Sequence, residues 1–209
     1  IDVKIINEFY EMGILAGVTT NPTLAKRFKM KDDIEMIREI RSVMQIGEIH
    51  VEAFGNNVDE IASNAKRISD KSQDENLVFK IPFCKAGVKS VSRLRKLNFS
   101  TNLHLIFSIN QALIASNIKT DYICPLIGRL DDTGHDAIKN LEEIILSYKK
   151  CDSHTKVMAS SIRNPLHVLN ALKVGADVVT IPSKILEQMF YHPLTDIGYE
   201  LFKKDLESM

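Results

Sequence analysis

Short apolar runs rich in β-formers alternate along this chain with longer amphipathic stretches, and that alternation leaves few folds open. The runs lie at 14–19, 48–54, 77–82, 101–107, 121–127, 156–160 and 177–182. Helical periodicity fills 3–12, 31–44, 58–69, 86–97, 110–117, 136–148, 165–174 and 184–190, and a last stretch covers 194–206. Strands alternating with such helices predict βαβ units and a parallel sheet. The strand runs are nearly continuous in apolar residues, as expected where both faces are covered. Asn21-Pro22 and Asn164-Pro165 read as turns or helix starts, and Gly13, Gly87 and Gly175 as places where a helix or turn ends.

No Pro/Ser-rich linker or low-complexity segment interrupts the pattern, so residues 1–209 read as one domain. Seven strands and nine helices are expected, and the first helix has no strand in front of it. A (β/α)8 TIM barrel needs eight strands to close. An open doubly wound sheet does not, but no GxGxxG follows any strand. The expected fold is therefore the α/β barrel, with its first strand absent from this sequence.

Composition narrows the function. Lys and Arg together number 27, as do Asp and Glu, and the zero balance argues against nucleic-acid or anionic-membrane binding. Trp is absent, which leaves little for stacking on bases. Cys84, Cys124 and Cys151 are widely spaced with no CxxC, so neither a zinc site nor a disulfide framework is suggested. No run is long and apolar enough for a membrane span and no signal segment opens the chain, so a cytoplasmic location is expected.

In a barrel, reactive groups gather at the C-terminal ends of strands. Lys80 interrupts the apolar run 77–82. Desolvation disfavours an ammonium, and a neutral amine can add to a ketone to form a Schiff base. The alternative is a solvated strand end. Glu52 lies mid-strand and suits acid–base work or water positioning, or else faces solvent at an edge. Thr19, Thr20 and Asn21 can position sugar hydroxyls or serve as ordinary turn and cap residues. Arg129, Ser161 and Arg163 follow neighbouring strands, and together could grip a phosphate or another oxyanion. His104 on its strand is either a core histidine or a proton carrier. Cys124 has no positive neighbour in sequence to activate it.

These residues fall in stretches that resemble the small class of the transaldolase and fructose-6-phosphate aldolase family. The stretches are 13–24 (GILAGVTTNPTL), 78–82 (VFKIP), 105–113 (LIFSINQAL), 128–132 (GRLDD), 159–168 (ASSIRNPLHV) and 192–198 (HPLTDIG). The resemblance runs in order along the whole chain. It implies a (β/α)8 barrel without metal or organic cofactor, in which Lys80 attacks the C2 ketone of a ketose and keeps a dihydroxyacetone unit. It implies that Glu52 holds the catalytic water, as in transaldolase-type members. It also implies that Thr19, Asn21 and Asn102 lie at the substrate, and that Arg129, Ser161 and Arg163 hold its phosphate. Rings of five stacked in pairs are implied too, with the last helix reaching a neighbouring subunit.

Three departures stand out. The family's first-strand Asp, which moves protons at the C4 hydroxyl, falls before Ile1, so an N-terminal strand carrying it is expected ahead of this sequence. His104 stands where the family usually has Thr. Cys124 and Leu126 replace a small polar residue and an aromatic beside the channel. The expected activity is a transaldolase acting on a ketose phosphate or a sulfonated ketose. The alternatives are an aldolase that releases dihydroxyacetone and a non-catalytic sugar-phosphate-binding barrel.

Overall fold

The computed structural model describes residues 2–27, 30 and 32–209. Seven parallel strands form one sheet in the order of the sequence: β1 (Gly17–Thr19), β2 (Glu48–Glu52), β3 (Leu77–Pro82), β4 (Ser100–Ile106), β5 (Tyr122–Pro125), β6 (Lys156–Ala159) and β7 (Val178–Val179). The helices are α1 (Val3–Glu11), α2 (Pro22–Arg27), α3 (Asp33–Val43), α4 (Val58–Ser72), α5 (Lys85–Lys96), α6 (Ile109–Asn117), α7 (Ile127–Asp131), α8 (Ala137–Lys150), α9 (Pro165–Val174), α10 (Ser183–Gln188) and α11 (Pro193–Glu207). Among the described residues this makes eleven helices rather than nine. The additions, α2 and α7, are too short to show a hydrophobic period.

The sheet is curled. At its open seam the Thr19 and Thr180 hydroxyls meet at 2.7 Å, so the first strand and the residue after the last come within one hydrogen bond. No ladder joins β7 to β1 among the described residues, and the eighth strand of a closed barrel is not among them.

Helix starts follow local chemistry. The side chains of Asp32, Asn57, Asp136 and Asn164 accept hydrogen bonds from first-turn N–H groups of α3, α4, α8 and α9. Ser108 and Gln111 form a capping box at α6. At α5 the Cys84 thiol fills that place, accepting from the Gly87 N–H at 3.3 Å. Gly87 thus belongs to the first turn of α5 and does not end an element. A Cβ there would lie 2.2 Å from the Pro82 carbonyl, so only glycine lets α5 fold back onto β3. Gly175 does end α9, at φ 98°.

Strand residues alternate between two cores, except where β4 shifts register between His104 and Ile106, with Leu105 at φ 60° and Ile106 joining the outer core. Ile49, Val51, Phe79, Ile81, Leu103, Ile123 and Val157 face outward and pack beneath the helices with Ile37, Ile40, Ile61, Ile68, Leu94 and Ile144. Each such side chain contributes about 1.5–3 kcal/mol by leaving water. The inner face is mixed. Val78, Tyr122, Cys124 and Met158 form a small apolar cluster there. Beside it stand His50, Glu52, Lys80 and Asn102, all buried. The apolar runs of the sequence therefore carry a polar inner face at Glu48, His50 and Glu52 of β2, at Asn102 and His104 of β4 and at Lys80 of β3.

Two aspartates tie the strand starts together. Asp121 accepts from the Thr101 N–H at 2.8 Å, and Asp177 from the Val157 N–H at 2.7 Å. Each sits just before its own strand and holds the first residues of the strand before it.

Candidate active site

Glu52, Lys80 and Asn102 are register partners on β2, β3 and β4, so the sheet sets all three side by side. Lys80 is 7% exposed. Its Nζ donates to Glu52 Oε1 and to the Thr20 carbonyl, both at 2.7 Å. Thr20 is held in turn, its hydroxyl donating to the His50 carbonyl at 3.0 Å. Lys80 is therefore a buried cation between an anion and a carbonyl dipole, and the solvated reading of this residue is excluded.

The second Glu52 oxygen lies 2.9 Å from His104 Nε2. The two atoms are within hydrogen-bonding distance but fall short of a well-aligned bond. Burial pushes the Glu52 carboxyl up, but the closeness of His104 and the Lys80 charge outweigh it and hold the group below the ordinary value. One carboxylate thus bridges an amine and an imidazole, an arrangement that can take a proton from one and pass it to the other.

Cys124 is buried on the same inner face, at the register partner of His104. Burial raises its thiol above the ordinary value, which disfavours the thiolate a nucleophile would need. Thr19 contributes its hydroxyl at the seam. Asn21 opens α2, where its carbonyl accepts from the Ala25 N–H at 3.0 Å.

The anion-binding candidates stand at the rim. Arg129 on α7 is exposed, and Ser161 adopts a left-handed backbone at φ 59°. Their segments touch: the Gly128 N–H donates to the Ser161 carbonyl at 3.0 Å. A Cβ at Gly128 would lie 2.3 Å from that carbonyl oxygen and 2.5 Å from Arg163 Cγ. Arg163 is exposed and donates to Asp132 at 2.9 Å. An incoming anion would have to take Arg163 from Asp132.

Sequence reasoning missed the groups below Lys80. Glu48 and His50 share the inner face of β2 with Glu52, and Tyr122 faces them from β5. Their signal was the i, i+2, i+4 spacing of three ionisable residues at 48, 50 and 52. Thr180 was missed as well, because only closure of the curl brings it to Thr19.

Comparison with known proteins places the chain. A family model described as Transaldolase/Fructose-6-phosphate aldolase matches residues 1–208. A "Probable transaldolase" of Methanococcus vannielii is 40% identical over 207 residues, covering 99% of this chain and 94% of that protein. A "Probable transaldolase" of Caldicellulosiruptor saccharolyticus is 41% identical over 209 residues, 100% of this chain and 94% of that protein. Among solved structures, a mandelate oxidase variant aligns with a TM-score of 0.58 at 16% identity, over 87% of this chain and 60% of that one, a likeness of fold alone. The chain belongs to the transaldolase/fructose-6-phosphate aldolase family. It is an enzyme of the transaldolase/aldolase class, on a curled parallel sheet of TIM-barrel type.

Proposed function

We propose that this enzyme transfers a dihydroxyacetone unit from a ketose phosphate to an aldose phosphate through a Schiff base on Lys80. The observation that carries the reading is the buried Lys80 Nζ, 2.7 Å from Glu52 Oε1. Glu52 takes a proton from Lys80, and the neutral amine adds to the C2 carbonyl. The former carbonyl oxygen leaves as water, with protons supplied through Glu52 and His104. The resulting iminium draws the electrons of the C3–C4 bond, the C4 hydroxyl gives its proton to Glu52, ionised again once the water has left, and an aldehyde departs. The enamine left on Lys80 attacks C1 of the acceptor aldehyde, and water returned to the iminium frees the product and the amine.

In this reading Thr19, Asn21 and Asn102 hold the dihydroxyacetone hydroxyls and Cys124 lines the channel. Arg129, Ser161 and Arg163 bind the anionic end. A sulfonated ketose is the second reading for the donor, favoured by His104 and Cys124 at the channel. The seam at Thr19 and Thr180 is the place an eighth strand would fill. Helix α11 buries none of its side chains, and Leu194, Leu201, Phe202 and Leu206 are exposed. That supports its docking on a neighbouring subunit; the decamer and the cytoplasmic location are part of the proposal.

Borohydride reduction in the presence of a ketose tests the chemistry. A mass adduct confined to Lys80 is expected, and no adduct together with activity surviving in Lys80→Met overturns the reading. Turnover of the ketose should need an aldehyde acceptor; full turnover without one assigns an aldolase instead. A panel of phosphate and sulfonate ketoses identifies the donor. Equal rates for wild type and His104→Thr on every donor remove His104 from donor selection.

A further inference from the structure

A second polar assembly lies beneath Lys80, and its hydrogen-bond polarity can be worked out atom by atom. Asn102 is fully buried, and its Nδ2 sits 3.1 Å from His50 Nδ1. An amide nitrogen can only donate, so His50 Nδ1 accepts and the ring proton belongs on Nε2. His50 Nε2 lies 3.1 Å from Glu48 Oε2, where that proton is donated to a carboxylate. Tyr122 OH donates to the same carboxylate, 3.0 and 2.8 Å from its two oxygens, and its ring meets the His50 ring edge-on at 5.1 Å. Lys156 Nζ donates to the Tyr122 oxygen at 3.3 Å. The hydrogen bond from His50 holds the Glu48 carboxyl below its ordinary value against the opposing effect of partial burial, so it stays an acceptor. The other amide hydrogen of Asn102 has Met158 Sδ for company at 3.7 Å.

This leaves one atom over. Asn102 Oδ1 is buried with no hydrogen-bond partner, on the strand next to Lys80 and at its register partner. Buried acceptors are rarely left bare in a resting protein unless something else fills them.

We propose that Glu48 and His50 are positioning residues that lock the Asn102 amide with Oδ1 toward the substrate, where it accepts a hydrogen bond from a hydroxyl of the Lys80-bound sugar. The inference rests on the Schiff-base reading for the identity of that sugar, but the lock itself does not. Its logic is a single proton count. With one proton on Nε2, His50 accepts from Asn102 and Oδ1 is free. With a second proton on Nδ1, His50 must donate to Asn102, the amide turns over and an N–H faces the substrate hydroxyl. The charged and titratable groups that His50 meets are Glu48 on its own strand and Tyr122 on β5, with Lys156 on β6 behind the Tyr122 oxygen.

Long-range proton–nitrogen spectra of the labelled wild-type protein at neutral pH test the lock without any turnover. His50 should show a bare Nδ1 and a protonated Nε2; a protonated Nδ1, alone or in an imidazolium, overturns the proposal. Kinetics supply the second arm. His50→Asn keeps an acceptor facing Asn102 and should retain transfer within about threefold. His50→Leu should lower kcat/KM by about tenfold or more while borohydride still traps the ketose on Lys80. Equal activity for His50→Leu and His50→Asn, both folded and both trapped, overturns the positioning role. Loss of trapping in the wild type would fail the Schiff-base reading instead, and would leave the tautomer measurement to stand by itself.

Discussion

Lys80 Nζ and Glu52 Oε1 lie 2.7 Å apart at register-matched positions of neighbouring strands, so the sheet itself, rather than a loop, sets their separation. Removing one partner leaves the other buried and unmatched. Glu52→Gln keeps the shape but takes away both the counter-charge and the proton acceptor. Transfer should fall by about 10²- to 10⁴-fold. Steady-state kinetics beside borohydride trapping would locate the loss: slower adduct formation places it at the amine, and an unchanged adduct rate argues against Glu52 as its base.

Acid should weaken the fold partly through Glu48. Hydrogen bonds from His50 and Tyr122 hold this carboxyl below its ordinary value in the native state. A carboxylate with a depressed native pKa stabilises the fold above its unfolded value of about 4.3, and that contribution disappears as pH falls through the native value. Wild type should therefore melt above Glu48→Gln at neutral pH, and the gap between their Tm values should close below about pH 4. A gap that stays constant across the acid range would show that Glu48 is not held this way.

Gly128 should resist substitution for a reason unconnected with its own flexibility. An alanine Cβ would collide with the Ser161 carbonyl and the Arg163 side chain. Gly128→Ala should cost about 1–3 kcal/mol, as overpacking does. It should also raise KM for a phosphorylated donor more than for the same ketose without phosphate, since it pushes apart the segments that carry Arg129 and Arg163. Equal KM changes for the two donors would count against an anion grip at this rim.

The three thiols should separate cleanly. Cys84 and Cys151 are exposed, whereas Cys124 is buried and its thiol is pushed up by that burial. A disulfide reagent should modify two thiols in the native enzyme and the third only on unfolding. Fast native modification of Cys124 would mean the inner face is open to solvent.

The strands that carry the candidate site were legible because Glu52, Lys80 and His104 interrupt apolar runs, but their shared face follows from the register of β2, β3 and β4, which the sequence does not show. Boundaries were harder. The run 121–127 reads as one strand, but β5 stops at Pro125. Leu126 makes only an isolated bridge to Ser160, and Ile127 already begins α7. The run 177–182 yields only Val178–Val179 as strand, because this edge has a ladder partner on one side alone. The contact of Arg163 with Asp132 joins residues far apart in sequence and carries no local signal. The same holds for Tyr122, which reaches Glu48 only because the sheet curls β5 back toward β2.

Strand β2 carries Glu48, His50 and Glu52 inward and Ile49 and Val51 outward within five residues. A slip of one residue would drive three ionisable groups into the hydrocarbon layer beneath the helices and turn two aliphatic side chains to the polar inner face. No half-shifted arrangement satisfies either side. Insertions or deletions within 48–52 should thus behave as all-or-none lesions, abolishing folding and activity together, while the exposed turn at Gly134 should accept them.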